Sequence, residues 1–295
     1  MELWVLIAIG AAFFQNVRSA LQKHLKGQLT TTGATFSRFI FAAPLIVGVL
    51  AGLVSVGGYS LPSPNTRFVG FMMLGGLSQI TATALLVHLF GLRNFAVGTT
   101  FSKTETVQAA LFGVVVLSDA ITPLAGVALL VSLVGVAMIS ATDGLRGGVF
   151  NRGALIGVAS GTAFAVSGIS YRGASLSLGS GDFLIRATFT LACVLVFQTV
   201  IMAVWLAWKD SPQIGRVLKS WRVSAWVGVA GGLASLGWFS AMTLQNAAYV
   251  KAVGQVELLF SFAVSILIFK ERSSGREVGG IVLVSLGILL LLLLR

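Results

Sequence analysis

Apolar residues along this chain fall into blocks of about 20, separated by short polar connectors, and about 20 apolar residues is the length needed to cross a ~30 Å hydrocarbon core. On that ruler ten spanning helices are predicted, over 3–21, 32–56, 67–91, 95–116, 122–142, 152–171, 181–208, 223–244, 248–269 and 275–294. The breaks carry the expected punctuation: Pro62 and Pro64 in one connector, Thr122-Pro123 with proline in a first helical turn, and Gly144, Gly147 and Gly148 at the midpoint. The first apolar block has no basic leader and no small-residue cleavage site, so it reads as a spanning helix and not a removable signal. In 209–222, Ile214, Val217, Leu218 and Trp221 share one face while Arg216, Lys219 and Arg222 lie elsewhere. That pattern predicts an amphipathic helix lying on the membrane surface.

Polar positions inside the blocks repeat. Phe101–Asp119 reads FSKTETVQAALFGVVVLSD, and Val253–Glu271 reads VGQVELLFSFAVSILIFKE. In each copy a Glu (Glu105, Glu257) sits inside an apolar run that an acidic residue (Asp119, Glu271) closes fourteen positions later. Gly135 and Gly287 follow at equal spacing, Asn94 and Asn246 precede at equal spacing, and Ile9-Gly10-Ala11-Ala12-Phe13 echoes Ser160-Gly161-Thr162-Ala163-Phe164. Ser37-Arg38-Phe39 similarly echoes Ile185-Arg186-Ala187. The chain therefore divides into two five-helix repeats, 1–142 and 152–295. Five is odd, so the second copy enters the membrane inverted, and such repeats enclose a site near the bilayer midplane.

Composition agrees with this pattern. Hydrophobic residues make up 56% of the 295, charged residues 10%, and mean hydropathy is +0.95, whereas a soluble domain carries roughly 25% charged residues. The net charge of +11 resides in the connectors, where lipid headgroups and membrane orientation explain it better than nucleic acid. Twelve connector Lys and Arg fall on one side of the predicted topology against three (Arg67, Arg172, Arg295) on the other. By the positive-inside rule both termini then lie outside the cytoplasm. Cys193 is the single cysteine and His24 and His88 the only histidines, so neither a disulfide framework nor a Cys/His metal set exists. No hydrolase, metalloprotease or phosphate-loop motif is present. The reading is a protein that is not an enzyme and takes no cofactor.

Candidate chemistry therefore rests on buried polar residues. Glu105 and Glu257 are expected ten and nine residues into their helices, roughly 15 Å deep at 1.5 Å per residue. A carboxylate there costs about 2.5–3.5 kcal/mol on insertion scales, which marks it as functional by default. Neither can pair with Lys103 or Lys251 of its own helix, since offsets of two and six do not face each other. Partners must come from other helices, water or a ligand, which leaves a cavity-lining role or a structural ion pair. Gln15, Asn16, Gln79 and Thr83 either line the cavity or bond across helices, and Trp238 either stacks on a substrate ring or faces lipid. Arg38 and Arg186, near the starts of their helices, are expected to snorkel to the interface or to gate, and Arg18 to snorkel. Gly228-x3-Gly232 and Gly157-x3-Gly161 permit close helix contact, and helices five and ten, with no ionisable residue inside, are expected to brace the assembly or form a homodimer face.

The Glu105/Asp119 and Glu257/Glu271 frames, with Gly135 and Gly287 beyond, resemble the drug/metabolite transporter superfamily, in particular its ten-helix EamA-type members, and are similar to its bacterial aromatic amino-acid exporters. The resemblance covers nearly the whole chain. Thr106 and Leu258 stand where the family often has Pro, so a kink would have to be made otherwise. The resemblance implies a bacterial inner membrane, a central cavity enclosed by helices one to four and six to nine, and peripheral helices five and ten. It also implies cytoplasmic termini, against the Lys/Arg balance. The expected function is a secondary transporter exporting small metabolites, amino acids with aromatic or large apolar side chains, by alternating access. Glu105 or Glu257 would take the ammonium, Lys103 or Lys251 the carboxylate, and Phe101 and Trp238 the apolar body. A flippase for lipids or lipid-linked carriers and a non-transporting membrane scaffold are the other classes.

Overall fold

A computed structural model describes residues 2–90, 104–120, 122–144, 152–179, 181–267 and 275–293. Every regular element among them is a helix: α1 (Leu3–Leu25), α2 (Thr31–Ser55), α3 (Thr66–Phe90), α4 (Glu105–Leu117), α5 (Pro123–Gly144), α6 (Arg152–Ser177), α7 (Phe183–Lys209), α8 (Pro212–Lys219), α9 (Trp221–Leu244), α10 (Ala247–Gly254), α11 (Glu257–Leu267) and α12 (Gly275–Leu293). The chain is an all-α membrane protein. By length and apolarity alone, α1, α2, α3, α7 and α9 can each cross a bilayer. α6 turns four serines (Ser160, Ser167, Ser170, Ser175) into the protein interior.

Helix starts follow local chemistry. Asn65, Thr122 and Asp182 accept the backbone N–H of Phe68, Ala125 and Leu184 at 2.8, 3.2 and 2.8 Å, and Thr30 accepts that of Gly33. Each cap satisfies a donor that lipid would leave bare. α8 forms where the amphipathic pattern predicts it. Its Val217 and Gln213 are buried, and Gln213 Oε1 accepts the Thr30 N–H at 3.2 Å, tying α8 to the start of α2. The outer surface is apolar: Leu6, Val47, Leu77, Leu111 and Val204 are exposed. Trp208, Trp221 and Trp226 are exposed around α8, with Lys209 over Trp208 and Arg222 over Trp221, an interfacial aromatic belt.

The main packing pairs join the two halves of the chain: α3 on α6, α1 on α9, and α5 on α12. Gly228 and Gly232 let α9 close onto α2, where an added Cβ at Gly228 would collide with Phe41. The α5–α12 seam is reciprocal. Gly135 faces Gly280 O (2.6 Å to an added Cβ) and Val284, while Gly287 faces Ala128 O (2.8 Å) and Ser132. Substituting Gly287→Val forces the backbones apart, and thermal unfolding in detergent is expected to show a loss of about 1–3 kcal/mol.

One predicted helix is divided. The segment expected as continuous over 248–269 comprises α10 and α11 with a tightened turn at Gln255–Val256, where N–H groups reach three residues back: Gln255 to Ala252, Val256 to Val253, Leu258 to Gln255. No proline makes this interruption. Gly254 faces the Trp238 ring so closely that a Cβ there would overlap Cη2. Of the segment expected over 95–116, residues 95–103 lie outside the described residues, and α4 is described from Glu105.

Candidate functional site

The turn at 255–256 moves Glu257 from mid-helix to the first turn of α11, and Glu105 occupies the first turn of α4 as described. Both are buried, with Glu105 5% and Glu257 2% exposed.

Their partners come from the opposite half of the chain. Lys251 Nζ, itself 8% exposed, lies 3.4 Å from Glu105 Oε2, so this acid is in a buried ion pair. Gln15 Nε2 donates to Glu257 Oε2 at 2.8 Å, and Gln15 Oε1 accepts from Trp238 Nε1 at 2.8 Å. Lys251 Nζ also sits 5.1 Å from the Trp238 ring centre, within cation–π range. Gln255 Nε2 donates to Thr106 Oγ1 at 3.0 Å. One polar network thus spans α1, α4, α9, α10 and α11.

Gln15, Trp238 and Lys251 face a cavity of ≈ 20 Å³, about the room of one water, that is also lined by Gln79, Tyr171 and Ser235. Gln79 Oε1 lies 3.0 Å from Tyr171 OH and accepts from Gln198 Nε2 at 2.9 Å. Tyr171 stacks on Phe239 at 4.2 Å between centroids. The cavity is narrow in this conformation, and its walls are aromatic with polar groups at intervals.

Of the residues singled out from sequence, Gln15, Gln79, Trp238 and Lys251 line this cavity. Glu105 and Glu257 lie one bond behind it. Asn16 is buried but is not part of the lining; Gln15, one position earlier, points there instead. Thr83 is fully buried and accepts from Arg38 Nη1 at 2.8 Å. Phe101 and Lys103 lie outside the described residues, as do Asn94 and Glu271. Tyr171 and Gln198 were not singled out. Their signal was weak, because a lone Tyr or Gln in an apolar helix gives no spacing to read.

The arginine expectation is corrected. Arg38 is 3% exposed and Arg18 1% exposed, so neither snorkels to an interface. Both stems cross Gly231 of α9, where an added Cβ would lie 3.2 Å from Arg38 Cγ and 3.3 Å from Arg18 Cδ. The missing side chain on α9 is what lets α1 and α2 bring two guanidiniums inside. Arg186 stays partly exposed near the start of α7.

Asp119, the acid that closes the first repeat motif, pairs with Arg172 through two bonds of 3.1 and 3.3 Å. Arg172 Nη1 also donates to Met242 O and Gln245 O at 2.6 and 2.7 Å, capping the end of α9. Arg172→Ala leaves a carboxylate and two carbonyls short of donors; a loss of about 1–3 kcal/mol is expected in thermal unfolding, partly recovered by adding Asp119→Asn.

A protein crystal structure superposes with a TM-score of 0.68 over 99% of this chain and 96% of that one, at 17% sequence identity, which shows a shared fold along the whole length. Among curated proteins none matches the sequence. The family match falls on the half of the chain that supplies Trp238, Lys251 and Glu257. Residues 151–293 match the EamA-like transporter family.

Proposed function

We propose that the protein is a secondary transporter that exports small metabolites, amino acids with aromatic or large apolar side chains, across a bacterial inner membrane by alternating access. The observation that carries this reading is the polar network joining the two halves around one cavity: Lys251 to Glu105, and Glu257 to Gln15, which in turn accepts from Trp238. Ion pairs that cross between halves are elements that two conformations can exchange. Lys251 and the two acids offer both signs of charge to a zwitterion, and Trp238, Tyr171 and Phe239 offer apolar surface. The reciprocal Gly135 and Gly287 contacts support two inverted repeats, 1–142 and 152–295. The excess of Lys and Arg on one side supports termini outside the cytoplasm.

One observation favours the scaffold reading instead: Glu105 is already held by a cation, beside a cavity of ≈ 20 Å³. The same experiment separates the two. Purified protein in liposomes is expected to move labelled phenylalanine, tryptophan or leucine down a gradient. Flux no greater than in protein-free vesicles for any amino acid overturns the substrate class.

A further inference from the structure

Arg18 and Arg38 carry more donors than the described residues around them accept. Arg18 Nη2 donates to Ser19 Oγ at 3.2 Å, while its Nε and Nη1 are buried without an acceptor among the described residues. Arg38 gives Nη1 to Thr83 and Nη2 to Ser235 at 2.8 and 3.2 Å, both neutral hydroxyls, and its Nε is likewise without an acceptor. Glu257 and Glu105 attract Arg18 through space, but no carboxylate among the described residues touches either guanidinium.

The chain has nine acidic residues, and their positions leave little to balance this pair. Glu105 and Glu257 are the interior ones. Asp119 is on Arg172, and the remaining six (Glu2, Asp143, Asp182, Asp210, Glu271, Glu277) fall at helix ends or in connectors by sequence position. Among the described residues, Arg18, Arg38 and Lys251 are therefore buried against two carboxylates. Desolvating an ion costs several kcal/mol even in real proteins, and two adjacent cations repel. A planar oxyanion would relieve both terms, because guanidinium forks match a carboxylate in two parallel bonds.

The pair also lies beside the cavity. Ser235, which holds Arg38 Nη2, lines it, and so does Gln15, one helical turn before Arg18 on α1. Aromatic walls thus adjoin a doubly cationic end. We propose that Arg18 and Arg38 form an oxyanion site that holds the carboxylate of a small organic substrate whose apolar body rests on Trp238, Tyr171 and Phe239. This rests on the transport reading for the substrate's route, but not for binding itself.

The test is titration of the purified full-length protein in detergent with three probes: 3-phenylpropionate, 2-phenylethylamine and inorganic phosphate. 3-Phenylpropionate is expected to bind saturably. Arg18→Lys and Arg38→Lys, which keep the charge but lose the fork, are each expected to weaken it by about tenfold or more. Any binding of 2-phenylethylamine is expected to be unchanged by those substitutions. Arg18→Met with Arg38→Met is expected to abolish 3-phenylpropionate binding while raising the unfolding temperature, since two uncompensated charges leave the interior; if this double variant does not fold, the lysine variants decide. The proposal is overturned if 3-phenylpropionate does not bind, if it binds the lysine variants as tightly as the wild type, or if phosphate alone binds. Arginine-dependent binding of 3-phenylpropionate without amino-acid flux in liposomes would remove the transport reading and leave the site standing.

Discussion

Lys251→Met is expected to cost about 3–5 kcal/mol of stability and to abolish flux. The substitution keeps the length and bulk of the side chain against Trp238 but leaves Glu105 buried in a low-dielectric interior without its cation, and breaking one side of a buried pair carries that penalty. The companion variant decides the cause. Lys251→Met combined with Glu105→Leu removes both charges, and swapping a buried pair for apolar residues is often neutral or better. Unfolding of the double variant in detergent is therefore expected near the wild-type value, with flux still absent. If the single variant is as stable as the wild type, the ion pair contributes nothing to the fold. If the double variant recovers transport as well as stability, the pair is only structural.

Glu257→Gln is expected to behave in the opposite way, folding well and transporting poorly. Gln15 Nε2 donates to Oε2 of Glu257 at 2.8 Å, and the amide oxygen of a glutamine can accept the same bond. What disappears is a negative charge at the first turn of α11 and its pull on Arg18. A hydrogen bond to a charged group is worth about 1.5–3 kcal/mol, so flux of labelled phenylalanine should fall roughly 10- to 100-fold if an ammonium must meet that carboxylate. Full flux in liposomes would remove Glu257 from the mechanism.

Much of the architecture was legible because the bilayer imposes one length scale on every span. Most helix boundaries from apolar runs agree with the described elements within a few residues, although α6 runs on to Ser177 past its expected end at 171, and Pro123 marked the start of α5. Gly135 and Gly287, aligned by sequence alone, lie in one seam, each against the other's helix. The site was harder to read, for three physical reasons. One residue along a helix is a 100° rotation, so choosing between Gln15 and Asn16 needs the packing phase of α1, which a uniformly apolar helix does not reveal. The interruption at Gln255–Val256 has no proline; a distant aromatic ring against Gly254 accompanies it, and that contact is invisible in the local sequence. Arg18 and Arg38 were placed at the interface by their depth along the chain. Both stems cross Gly231, which lies in the other half of the chain.

The seam between α5 and α12 has a further consequence. Each glycine faces the helix that carries the other, so the surface is self-complementary in the manner of a two-fold homodimer contact, but closed within a single polypeptide. Two separately made fragments, 1–144 and 152–295, would between them hold both sides of every contact described there. Co-produced halves therefore carry matching faces at this seam.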